Sequence, residues 1–205
     1  MPRSETMTAI AETMKRAAAA FRQHDVPFLL AGSLASWARG GPETSHDLDF
    51  VVKPEDASRA LQALEAAGMR PEIPPENWLH KAWDGDILID VIFQPSGLDV
   101  DDAVIERGDM ISVMSMDLPV MALEDVLVTK LNALTEHSLA GYEGLLDMAR
   151  ALREQVDWAE VHRRTAGQPF ADAYFVMLDR LDIVRQAEEP EGDREPRVRV
   201  DVKTA

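Results

Sequence analysis

The apolar positions divide the chain into a mixed front half and a purely helical rear half. From Ser4 to Gln23, Met7, Ile10, Ala11, Met14, Ala17, Ala18 and Phe21 recur at helical spacing and predict an amphipathic helix. Asp25 and Pro27 interrupt it. Phe28-Leu29-Leu30-Ala31 then reads as a short buried strand, and Gly32-Ser33 turns the chain into a brief helix over 34–38, which Gly40-Gly41-Pro42 ends. A second strand covers 48–52. Pro54 suits the first position of the next helix, whose apolar stripe is Ala57, Ala60, Leu61, Leu64 and Ala67, and Gly68 suits the position just past its end. The β-rich runs 78–83 and 87–93 flank Asp84-Gly85, a hairpin signal in which both central residues take positive φ. A further strand is expected over 110–116.

Beyond Pro119 only helical patterns occur, at about 121–136, 142–154, 158–165 and 170–181. Asp157, followed three residues later by Glu160, has the spacing of a capping box. From Ala187 the chain is poor in apolar residues and mixed in charge, which predicts a disordered tail. There is no internal repeat. The expected architecture is α+β: a small mixed sheet with flanking helices over 1–117, a helical domain over 118–186, and the tail over 187–205.

Composition changes this picture in two ways. The 205 residues carry a formal charge of −16, which disfavours nucleic acid and anionic lipid and favours cationic small molecules or basic partners. Cysteine is absent, so disulfides and cysteine-ligated zinc are excluded. The first ten residues lack the apolar core of a signal peptide, and no stretch approaches a membrane span, so the expectation is a soluble cytoplasmic protein.

The candidate chemistry is carried by acids on strands. In Asp47-Leu48-Asp49-Phe50, strand alternation projects Asp47 and Asp49 to one face while Leu48 and Phe50 point into the core. Two adjacent carboxylates repel unless they share a cation, and magnesium, a hard ion held by oxygen ligands, suits them. Asp90 sits among Ile87, Leu88, Ile89, Val91, Ile92 and Phe93, where an unpaired acid is costly to bury. If its strand lies beside the second one, three acids converge, and three can hold two metal ions flanking an in-line displacement. Upstream, Gly32-Ser33 joins a strand to a helix, where the backbone can approach a phosphate.

Gly32-Ser33, Asp47-x-Asp49 and a lone later-strand aspartate together resemble the signature of the DNA polymerase β-like nucleotidyltransferase superfamily over residues 27–93. The continuation Leu123-Glu124-Asp125-Val126-Leu127-Val128-Thr129-Lys130-Leu131-Asn132-Ala133-Leu134 is similar to small bacterial members, among them antibiotic nucleotidyltransferases and abortive-infection-type toxins. The resemblance implies a nucleoside triphosphate contacted by Gly32, Ser33 and Lys130, and magnesium held by Asp47, Asp49 and Asp90. Ser45 keeps the small hydroxyl usual two residues before the first aspartate, whereas Glu43 replaces a basic residue common in that family. The implied activity is transfer of a nucleoside monophosphate to a hydroxyl of a small acceptor, possibilities of a toxin acting on tRNA or protein and of a non-catalytic nucleotide-binding module standing beside it.

Blander readings accompany each residue. Lys130 falls on a core-facing stripe with Leu123, Val126, Leu127, Leu131 and Leu134, from which it can snorkel to solvent or reach across a cleft to phosphate. Asp147 points away from the stripe of its helix and reads as a solvated residue. His46, beside the acids, reads as hydrogen-bonded. Trp78 and Trp83 read as hairpin packing, and no histidine has metal-ligand spacing.

Overall fold

A computed structural model describes residues 3–42, 47–135 and 141–184. The expected tail, together with Glu43, Ser45, His46 and His137, lies outside the described residues. The elements are α1 (Arg3–Gln23), β1 (Phe28–Leu30), α2 (Gly32–Trp37), β2 (Leu48–Val52), α3 (Ala57–Ala66), β3 (Arg70–Glu72), β4 (Leu79–Asp84) and β5 (Ile87–Ile92). They continue with α4 (Asp102–Glu106), β6 (Asp109–Val113), β7 (Met116–Val120), α5 (Leu123–Asn132), α6 (Gly141–Leu152), α7 (Trp158–Arg164) and α8 (Pro169–Arg180). The strands form one mixed sheet in the order β3-β4-β5-β2-β1-β7-β6. Its central pairs are β2 with β5 and β1 with β7, both parallel, and β1 with β2, antiparallel.

One face of the sheet is packed by α1 and α3. Phe21 of α1, Phe28 of β1 and Phe50 of β2 form an aromatic triad with ring centroids 5.1, 5.3 and 5.6 Å apart, tilted or edge-on as ring quadrupoles prefer. Leu48 and Phe50 are fully buried, which fixes β2 in register and sends the odd-numbered residues to the other face. On that α1 face, Thr13 donates to Asp84 Oδ2 at 2.8 Å and Arg16 pairs with the same carboxylate, tying the helix to the β4–β5 hairpin.

Two turns differ from their sequence reading. The β4–β5 loop is Gly85-Asp86, because Asp84 already pairs with Ile87, and of the two loop residues only Gly85 has positive φ (+61°). That is the II′ arrangement, which needs glycine at the first position alone. The expected strand over 110–116 is instead a hairpin, β6–β7, folded at Met114 and Ser115 with φ of +48° and +64°. Two non-glycine residues in the left-handed region leave no Gly or Asn signal to read. Pro119 lies inside β7 opposite Met110, so the sheet runs through Val120, past the expected boundary at 117. The short elements β3 and α4 have no counterpart in the sequence reading.

The rear helices arise where their stripes place them. Asp157 caps α7 by accepting from the Glu160 N–H at 3.1 Å, but the reciprocal bond of a capping box comes from elsewhere: Glu124 of α5 accepts the Asp157 N–H at 2.8 Å. Beside it, fully buried Asp125 accepts from Arg107 at 3.0 and 3.1 Å and pairs with Arg164 at 2.7 Å. One carboxylate thereby joins α5, α7 and the end of α4. Asp147 is half-exposed and pairs with Arg150, as a solvated residue should. Trp83 packs under Arg70 and donates to Glu72, whereas Trp78 is 42 % exposed.

Candidate active site

The acids gather on the sheet face covered by α2 and α5. Asp49 of β2 and Asp90 of β5 are direct partners in the parallel ladder, so their side chains leave the same face at adjacent positions. Asp47 stands exposed just before β2 and is near enough to act electrostatically on Asp49. The sequence-derived acids are thus brought together on neighbouring strands, with Asp47 at the solvent edge of the group.

Gly32 has a specific steric role here. Its φ is +60°, and a Cβ at this position would overlap the Asp49 carboxylate. The Ala31 N–H donates to the Asp49 carbonyl at 2.8 Å, so the end of β1 and the start of α2 are fitted directly onto that residue. Ser33 lies at the start of α2, and Lys130 of α5 places Nζ 3.5 Å from its Oγ. Lys130 is thus turned inward to the acids and does not snorkel away. Ser45 lies outside the described residues.

Electrostatics single out Asp49. Burial pushes its carboxyl up to about 6, and Asp90 and Asp47 push the same way, while Lys130 and Lys81 oppose them. Burial likewise holds the Lys130 ammonium below its ordinary value, with Asp49 opposing that fall. A buried acid that resists ionisation, flanked by two more acids, favours added positive charge. The donors are all carboxylate oxygens, the set a hard divalent ion takes. Among the described residues, no three His, Cys, Asp or Glu side chains are arranged to hold a metal ion.

Beside Ser33 and Lys130 opens a cleft of about 320 Å³, walled by Ala133 and Leu134 of the α5 end and Gly141, Leu145 and Met148 of α6. It lies between α2, the end of α5 and α6, a concave setting between helices that suits a small molecule. Sequence reasoning missed one member of the group, Lys81 of β4. Its Nζ is 3.0 Å from Asp90 Oδ1, across the β4–β5 ladder. The available signal was the hairpin: a loop at 85–86 sets Lys81 opposite Asp90, whereas the loop expected at 84–85 sets Leu79 there.

The fold has solved relatives of low sequence identity. The crystal structure of ANT(2″)-Ia in complex with adenylyl-2″-tobramycin is 16 % identical with a TM-score of 0.55, over 82 % of this chain and 99 % of that one. The solution structure of the antibiotic-resistance factor ANT(2″)-Ia is 13 % identical with a TM-score of 0.54, over 86 % and 98 %. A search of curated proteins found no match. A family model described as uncharacterised nucleotidyltransferase matches residues 4–182, and with the greater part of its length so matched the chain belongs to that nucleotidyltransferase family.

Proposed function

We propose that this nucleotidyltransferase moves a nucleoside monophosphate from a triphosphate to a hydroxyl of a small-molecule acceptor, with magnesium. The acceptor oxygen bonds to the α-phosphorus, the bond from that phosphorus to the β-bridging oxygen breaks, and pyrophosphate leaves. The observation that carries this reading is the register pairing of Asp49 with Asp90, beside Lys130 and Ser33. Asp49, with Asp47 or Asp90, would hold the divalent metal, which when bound supplies charge stabilisation to the reacting phosphoryl oxygens.

Each remaining role falls to a residue of the chain. Lys130, shielded and aimed at Ser33, offers its ammonium to the triphosphate. Ser33, and Ser45 by its place in the motif, offer hydroxyls to the same group. Asp90 would stand on the acceptor side, where its carboxylate can receive the hydroxyl proton. Gly32 keeps the backbone clear of Asp49. The apolar walls of the cleft, Leu134, Leu145 and Met148, suit a ring of the nucleoside or acceptor. The relative crystallised with adenylyl-2″-tobramycin supports a small acceptor, and the net charge of −16 favours a cationic one over tRNA.

The test is incubation with α-labelled nucleoside triphosphates, magnesium and a panel of hydroxyl acceptors that includes aminosugars. The reading expects label on an acceptor, release of pyrophosphate, and loss of both in Asp49→Ala. No transfer to any acceptor, with triphosphate binding unchanged in Asp49→Ala, defeats it.

A further inference from the structure

Lys81 is a cation built into the acid row, and the reaction as described so far makes no use of it. It faces Asp90 across the β4–β5 ladder, and Asp90 faces Asp49 across the β5–β2 ladder. Ammonium, carboxylate and carboxylate therefore stand side by side on one face. The Lys81 and Asp90 side chains are only 24 % and 18 % exposed, so water and salt screen this pair far less than a surface bridge. Its charge also reaches Asp49, where it opposes the upward push of burial.

We propose, resting on the nucleotidyltransferase reading, that Lys81 is a resident cation occupying the place a second divalent ion would take on Asp90. The enzyme then works with one ion, the one that arrives with the triphosphate. The argument is geometric first. Magnesium sits about 2.1 Å from a carboxylate oxygen. Lys81 Nζ is 3.0 Å from Asp90 Oδ1, so an ion on that oxygen lies within about 5 Å of the ammonium. The ammonium already matches the single negative charge of Asp90, so a divalent ion added on that oxygen brings positive charge with no carboxylate left to offset it, a repulsion little screened in a site shielded from water. Ammonium and divalent ion are alternatives on that oxygen.

Charge balance points the same way. Asp47, Asp49 and Asp90 face Lys81 and Lys130, so two of the three carboxylates already have a fixed counter-charge on the same face. A lysine is also tethered, which makes the positive charge beside Asp90 independent of free metal concentration. Lys81 is thus a positioning residue: it orients Asp90 and sets the number of ions the site accepts.

The experiment counts ions. The full chain is saturated with the α,β-methylene analogue of ATP and titrated with Mn²⁺, free ion being read by electron paramagnetic resonance. One Mn²⁺ per protein–nucleotide complex is expected for the wild type and for Lys81→Arg, and two for Lys81→Met. Lys81→Gln carries the same expectation of two if the methionine variant does not fold. Two ions in the wild type overturn the inference, and so does a count of one in the folded neutral variants. A wild type that binds neither this analogue nor the corresponding analogues of GTP, CTP and UTP defeats the proposed transfer reaction on which the inference rests, an outcome distinct from a wrong count.

Discussion

Replacing Asp49 by asparagine should make the metal-free protein more stable while destroying its activity. The side chain's size is kept and only its ability to ionise is removed. In the folded chain its carboxyl is pushed from 3.8 up to about 6, burial being the first cause and Asp90 the second. The folded value lies above the unfolded one, so folded protein holds this proton more tightly. Below pH ~4 both states are protonated and the acid costs nothing. Between pH ~4 and ~6 the unfolded chain ionises and the folded one does not, so stability falls with rising pH. Above pH ~6 the loss is complete. At about 1.36 kcal/mol per unit, a rise of about 2 units amounts to about 3 kcal/mol. Urea unfolding in chelator-treated buffer, run on both proteins from pH 4 to 8, isolates this contribution, because every other titrating group is common to the pair. The stability difference should grow by about 3 kcal/mol in favour of Asp49→Asn between pH 4 and 6 and then stay level, a gap of about 6–12 °C in Tm for a domain of this size. A gap independent of pH, or a wild type that is the more stable at pH 8, refutes the reasoning.

Three further substitutions test separate parts of the account. Gly32→Ala drives a Cβ into the Asp49 carboxylate from a φ of +60°, which should cost about 1–2 kcal/mol in denaturant unfolding and about 100-fold in transfer rate. Lys130→Met should weaken triphosphate binding about 10–100-fold by calorimetry, the worth of one charge-assisted hydrogen bond, without lowering Tm. Asp125→Ala leaves Arg164, 18 % exposed, without its carboxylate, while Arg107, 41 % exposed, turns to solvent, and should cost about 1–3 kcal/mol in urea unfolding.

Much of this was legible in the sequence because burial periodicity is a strong signal. Leu48 and Phe50 had to face the core, so Asp47 and Asp49 had to face away, and a strand as apolar as 87–93 had to lie inside the sheet beside another. Gly32 was visible as a turn residue, although its steric reason, the carboxylate of Asp49, depends on a tertiary contact. Lys81 was lost through a single-residue error. A hairpin loop moved by one position shifts the cross-strand register by two, which replaced Lys81 with Leu79 opposite Asp90. The β6–β7 hairpin was hidden because Met114 and Ser115 adopt left-handed conformations that their side chains do not favour. Nor did any local pattern announce the Asp125 junction, whose partners come from two other elements.

The central claim is that acids from β2 and β5 hold the metal of a bound triphosphate between the sheet and α5. A crystal structure with magnesium and a non-hydrolysable triphosphate tests it most directly. The account predicts metal density on Asp49 with Asp47 or Asp90, and phosphate oxygens within hydrogen-bond reach of Ser33 and Lys130. A triphosphate bound away from this row, or one held here with no ion touching Asp49, contradicts it.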